Sequence, residues 1–234
     1  MNLSGRLKAI ADAVPKCRAA ADIGTDHGYI PVYLVRNKIV DAAIASDISS
    51  GSLDKAKKLI SQAGLGDVID TRLGSGLEVL KPGEVDTIII AGMGGLLIRD
   101  ILDACPDTAG GAALILQPMV AQENLRKWLL ENGYMILDED LVREDHRYYE
   151  IITAAAGHQT VENEIYYEIG RRLIEKQHPL LEEFVLHKIK SLEAIMEALK
   201  KAGSKSASER EDELGRKLRQ LKEVYRWDVR SKRL

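Results

Sequence analysis

The run Val85-Asp86-Thr87-Ile88-Ile89-Ile90-Ala91 constrains this chain more than any other segment. Its β-branched residues fall on both faces, and a strand that is apolar on both faces must be covered on both. A parallel sheet with helices above and below supplies that cover, which predicts a layered α/β fold. Neighbouring segments agree with this reading. Residues 19–23, 42–48, 68–73 and 112–117 read as further strands, and 53–63 and 122–131 as helices. Residues 3–14, with Leu3, Leu7, Ile10 and Val14 at helical spacing, read as a short leading helix. The segments 134–141 and 147–155 are joined by only a short polar link. They are expected to form an antiparallel pair that closes one edge. Together these elements predict a doubly wound domain over residues 1–158, with ligands bound at the carboxyl ends of its strands.

A second domain is expected over residues 159–234. There the strand signal stops, and Val185, Ile189, Leu192, Met196 and Leu199 step by four and three as in a coiled-coil seam. A turn is expected at Gly203-Ser204-Lys205-Ser206, after which Leu214, Leu218, Leu221 and Tyr225 repeat the pattern. The pair predicts an antiparallel coiled-coil helical hairpin, with Pro179 starting or kinking its first arm.

The net charge of −3 hides an asymmetry. The first 158 residues hold 16 basic and 22 acidic side chains, the remainder 17 and 14. Beyond Leu214, Arg216, Lys217, Arg219, Lys222, Arg226, Arg230, Lys232 and Arg233 face only Glu223 and Asp228. Such a helix suits either a phosphate backbone or a solvated coiled-coil face. Two cysteines without ligand spacing argue against a disulfide framework and a metal centre. No apolar run reaches the roughly 18 residues of a membrane span. The first residues carry no signal-peptide apolar run, so a cytoplasmic location is expected.

The loops after the predicted strands carry the chemistry. Asp22-Ile23-Gly24-Thr25-Asp26-His27-Gly28-Tyr29 follows the first strand, and Gly24 and Gly28 permit a tight turn against a ligand. A dinucleotide fingerprint would need a glycine where Asp26 stands, and a carboxylate there repels phosphate. An acidic loop suits instead a cationic ligand with an amino group, such as S-adenosylmethionine. Asp47, followed by Ile48, ends the second strand where an acid can accept both ribose hydroxyls, although it is equally readable as a helix N-cap. Ser75 and Gly76 follow the third strand at the place for adenine contacts, or form a plain turn. Ala91, Gly92 and Met93, with Gly94 and Gly95, follow the fourth strand, where methyl donor and acceptor would meet.

These motifs, together with Leu116-Gln117-Pro118 and Tyr149-Glu150-Ile151, resemble the bacterial tRNA (adenine(22)-N1)-methyltransferases. The resemblance spans nearly the whole chain. It implies a Rossmann-like class I methyltransferase domain, S-adenosylmethionine as cofactor, and methylation of N1 of an adenine in the D-arm region of tRNA. Asp22, Gly24, Thr25, Gly28, Asp47, Ile48, Ser75, Gly76, Ala91 and Gly92 are then the candidate cofactor residues. Asp26 is the candidate either to stabilise the cationic product or to hold the cofactor's amino group, and His27 to line the transfer site. Because N1 lies on the Watson–Crick edge, the base must leave its stack. Tyr29 is the candidate stacking partner, Gln117 the candidate hydrogen-bonding group for the base edge, and Met93 and Pro118 further substrate contacts. The expected partner is tRNA, with neither membrane nor metal; no motif sets the oligomeric state, and a monomer is compatible.

Overall fold

The computed structural model describes residues 3–202 and 205–231, with side chains for 3–199 and 211–227. The chain divides into two compact units, Met1–Thr160 and Val161–Leu234.

The first unit opens with α1 (Gly5–Asp12), whose N-cap Ser4 accepts a hydrogen bond from the Leu7 amide. There follow β1 (Cys17–Ile23), α2 (Tyr29–Arg36), β2 (Val40–Asp47), α3 (Ser50–Gln62) and β3 (Ile69–Leu73). A single 3₁₀ turn, Gly76–Val79, leads to β4 (Thr87–Met93), α4 (Gly95–Ala104), α5 (Pro106–Gly110) and β5 (Ala113–Pro118). The unit ends with α6 (Gln122–Glu131), β6 (Tyr134–Glu144) and β7 (Arg147–Ala156). The seven strands form one Rossmann-like sheet in the order β3-β2-β1-β4-β5-β7-β6. Its first five strands are parallel, and β7 and β6 close the edge antiparallel.

Period-two alternation explains the two-sided apolar character of the strands. Ile88, Ile90, Leu114 and Leu116 pack into one core with Ile98 and Leu102 of α4 and Leu125 and Leu129 of α6. Ile89 and Ile115 face the other core, among Ile10, Ile30, Val32, Leu34 and Ile60 from α1, α2 and α3. The strand expected at 85–91 lies two residues further on. Gly92, at φ +77°, permits an irregularity between Ala91 and Met93 that lets Met93 pair with Pro118.

In the second unit, α7 (Ile165–Ile169) and α8 (Arg171–Glu175) precede two long helices, α9 (Leu181–Ala202) and α10 (Lys205–Ser231). Pro179 lies ahead of α9 and does not kink it. Of the expected turn, Gly203 and Ser204 lie outside the described residues, while Lys205 and Ser206 already belong to α10. Val185, Ile189 and Leu221 are buried, and the other seam residues, Leu192, Met196, Leu199, Leu214, Leu218 and Tyr225, are half-buried. Lys232 and Arg233 lie outside the described residues.

Candidate active site

Parallel register brings the ends of β1, β2 and β4 level, with Ile23 opposite both Ser46 and Ile90. The loop after β1 is pinned at once. The amides of Gly24 and Thr25 both donate to the Ser46 carbonyl, each at 2.8 Å. Gly24 (φ +79°) and Gly28 (φ +72°) adopt the left-handed conformation that favours glycine. A Cβ on Gly24 would stand 2.1 Å from the Met93 methyl, so this turn and the end of β4 close directly on one another. Met93 is thus half-buried against the β1 loop rather than presented outward.

A cavity of about 330 Å³ opens here, lined among others by Asp22, Asp26, His27, Tyr29, Gly92 and Arg6. Asp22 is 7% exposed, and burial pushes its carboxyl up to about 6, against the lowering effect of the Thr25 hydroxyl; the nearby Asp47 charge raises it further. Buried Thr25 also accepts the Gly28 amide at 3.2 Å, so one hydroxyl ties the acid to the turn. Asp26 is different. Its carboxylate is exposed, accepts from His27 Nδ1 at 2.7 Å and lies 3.5 Å from Lys55 Nζ. The His27 ring stacks on Tyr29, with centroids 5.2 Å apart and planes 12° from parallel. Two carboxylates therefore share the loop, one buried on the cavity and one solvated beside an imidazole.

At the end of β2, Asp47 Oδ1 accepts the Ser49 amide at 2.6 Å. The N-cap of α3 is Ser49, whose hydroxyl accepts from Ser52, so Asp47 is not that cap. Ile48 is 75% exposed beside it. Ser75 precedes the 3₁₀ turn and makes no side-chain capping bond, and Gly76 (φ +50°) packs close to Ile101.

Three expectations need correction. Gln117 is fully buried: its Oε1 accepts from Arg6 Nη1 at 2.7 Å and its Nε2 donates to the Pro118 carbonyl at 3.1 Å. It is occupied within the protein and does not present its amide to a base. Pro118 is buried likewise, because β5 runs through it; Met119 and Val120, further along, reach the surface. Of the glycines after β4, Gly95 serves packing. A Cβ there would meet the Ala121 carbonyl oxygen at 2.4 Å, and its amide donates to the Val120 carbonyl at 2.8 Å.

Arg6 was not anticipated. No local pattern marks it, since its partner Gln117 is 111 residues away. A larger groove of about 900 Å³ runs along β2 and β3, away from these loops. Two of the charges that line it, Arg72 and Glu84, pair with each other at 2.6 Å. Among the described residues no cluster of His, Cys, Asp and Glu could hold a metal ion, and no helix is long and apolar enough to cross a membrane.

Comparison with known proteins agrees with this geometry. The family model described as a methyltransferase domain matches residues 3–152. Over 158 residues the chain is 44% identical to the tRNA (adenine(22)-N(1))-methyltransferase of Bacillus subtilis (strain 168). That match covers 67% of this chain and 66%, just under two thirds, of the relative. The crystal structure of the B. subtilis M1A22 tRNA methyltransferase TrmK superposes with a TM-score of 0.87 at 35% identity, covering 96% of this chain and 99% of that one. M. capricolum TrmK in complex with S-adenosyl-homocysteine gives a TM-score of 0.80 at 28% identity, covering 95% and 97%. A parallel sheet with its buried acid and glycine turn at the switch point, and these full-length likenesses, lead to one conclusion: the chain belongs to the methyltransferase-domain family and, within it, to the tRNA (adenine(22)-N1)-methyltransferases.

Proposed function

We propose that this chain transfers a methyl group from S-adenosylmethionine to N1 of adenine 22 in tRNA. The observation that carries the proposal is the buried Asp22 on a cavity between the β1 and β4 loops, with Asp47 one strand away. The residues fit this cofactor. A buried carboxylate without a cationic partner among the described residues suits an ammonium group. Asp47, with one oxygen spent on its own turn, keeps the other for ribose hydroxyls. Exposed Ile48, with Ser75 and Gly76, offers a face for adenine, and Ala91 and Gly92 line the donor side.

When bound, the cofactor supplies a methyl group already activated by its sulfonium. Adenine N1 carries a lone pair, so the chain's contribution is positioning and charge stabilisation, without a strong base. His27 and Tyr29 form an aromatic pair at the cavity mouth on which an unstacked base can lie. Asp26 holds the imidazole through Nδ1 and places negative charge near a base that becomes cationic. This division gives the ammonium to Asp22 and the base to Asp26.

We infer also that the second unit is an antiparallel coiled-coil hairpin that grips tRNA. The Lys222–Glu193 pair at 2.7 Å and the approach of Met196 to Gly215 support opposed helix directions. Arg216, Arg219 and Arg226 are exposed and fall at helical spacing on one face of α10, with Arg230 continuing the series in sequence. Lys217 and Lys222, by contrast, pair with Glu168 and Glu193. A tRNA substrate supports a cytoplasmic location.

Calorimetry tests the site directly. Asp47→Ala should weaken S-adenosylmethionine binding by about ten- to a hundredfold, as for loss of charge-assisted hydrogen bonds. Unchanged affinity would remove the ribose assignment.

A further inference from the structure

The second unit holds a cavity of its own, of about 410 Å³, within the range usual for small-ligand pockets. Its walls come from α10 and from the segment around α7 and α8. Tyr166 and Trp227 supply rings, Asn163, Gln220 and Glu223 supply polar groups, and Ile165 is part of an apolar lining. Trp227 is 46% exposed although it lies on this wall, so packing takes up only part of its ring. The Tyr166 ring is half-buried, with the Arg171 guanidinium carbon 5.7 Å from its centre.

The polar groups are not spent internally. Gln220 and Glu223 make no hydrogen bond or ion pair among the described residues. Asn163 uses its Oδ1 to accept the Ile165 amide at 3.1 Å, which leaves its Nδ2 as a donor. Position along α10 then separates the two signs of charge. Gln220, Glu223 and Trp227 step by three and four, one stripe of a helix. Arg219 and Arg226 stand four residues before Glu223 and three after it. Both are exposed, and neither pairs with a described carboxylate. A carboxylate repels phosphate and accepts only N–H or O–H groups, whereas the arginines beside it attract phosphate. The stripe thus offers a place for a base next to a place for its backbone.

Aromatic side chains take an unstacked base by its face and leave its edge to polar groups. Guanine presents N1–H and N2–H donors side by side on its Watson–Crick edge, and a carboxylate, which only accepts, suits both. We propose that this pocket takes an unpaired guanine of the tRNA, with its face on Tyr166 and Trp227 and its N1 and N2 groups on Glu223. Asn163 Nδ2 and the Gln220 amide then stand as donors to its acceptor atoms, and Arg219 and Arg226 meet the flanking phosphates. The inference rests on the tRNA reading above and adds a base contact to the phosphate grip.

The test measures the affinity of the full chain for one unmodified tRNA transcript carrying adenine at position 22. It is repeated on versions in which each unpaired guanine is replaced in turn by inosine, which lacks the N2 amino group. One replacement should weaken wild-type binding by about ten- to a hundredfold, as for loss of a hydrogen bond to a charged group. The same replacement should cost Glu223→Gln much less, whereas an effect on RNA folding would persist in that variant. On the unaltered transcript Glu223→Gln should bind about tenfold more weakly. A merely solvated glutamate beside arginines gives the opposite sign, because removing its charge strengthens phosphate binding, and that result overturns the proposal. Trp227→Ala should lose about five- to a hundredfold of affinity at an unchanged salt slope, and Trp227→Phe should recover most of it. A lower melting temperature with tRNA affinity intact in Trp227→Ala would make the ring a packing element and overturn the pocket. Wild-type protein that binds no tRNA overturns the tRNA reading itself; wild-type protein that binds every transcript equally overturns only the guanine site.

Discussion

Asp22 sets a pH dependence that belongs to a single carboxyl. Its folded value of about 6 lies above the ordinary 3.8, because burial disfavours the charge. Between those values the folded chain binds a proton that the unfolded chain has released. Asp22 therefore makes the ligand-free fold less stable as pH rises from about 4 to about 6, with no further change above. Cofactor binding needs the ionised form. Affinity for S-adenosylmethionine should rise about tenfold per pH unit below about 6 and level off above it. Asp22→Asn should bind weakly at every pH, lose that slope, and melt higher than wild type at neutral pH in the absence of ligand. Calorimetry between pH 5 and 8 and thermal melts check both halves, and a slope that survives the substitution would remove Asp22 from the site. At this scale the loop residues were legible because β1, the turn and α2 are contiguous. Arg6 was not, since nothing local distinguishes an arginine in a first turn from any other until Gln117 is brought beside it.

The elements carry the site by registering their ends, and the buried ionic cluster at the far edge shows how that register is held. Arg126 of α6 pairs with Glu139 of β6 and Glu150 of β7, each at 2.6 Å and all nearly inaccessible. Substituting Arg126→Met leaves two carboxylates buried without their counter-ion, and should cost about 3–5 kcal/mol in denaturant unfolding. A loss below about 1 kcal/mol would mean that the cluster contributes little to the fold. The terminal β pair itself was readable from its short link and absent helix. The glycines after β4 were not readable one by one. The sequence shows that backbone approaches something there, but only the fold distinguishes Gly92 on the cavity from Gly95, which admits the Val120 and Ala121 carbonyls. The same limit applied to Gln117 and Pro118. The continuous apolar run 112–116, followed by one polar residue and a proline, does not show where the strand ends, and β5 runs far enough to bury both.

For the whole molecule, a total charge of −3 describes neither unit. The acidic excess lies with the cavity that is proposed to take a cationic cofactor, and the basic excess lies with α10. If Arg216, Arg219 and Arg226 meet phosphates, replacing all three by alanine should weaken tRNA binding and lower its salt slope by about one per arginine, leaving cofactor affinity intact. An unchanged slope would assign that face to solvent. The central claim concerns one atom of one nucleotide. Unmodified tRNA carrying adenine at position 22 should be incubated with the protein and methyl-labelled S-adenosylmethionine, then digested and mapped by mass spectrometry. The account predicts one label per tRNA, as 1-methyladenine at position 22. Label at another atom or position, or none with correctly folded protein and tRNA, would contradict it.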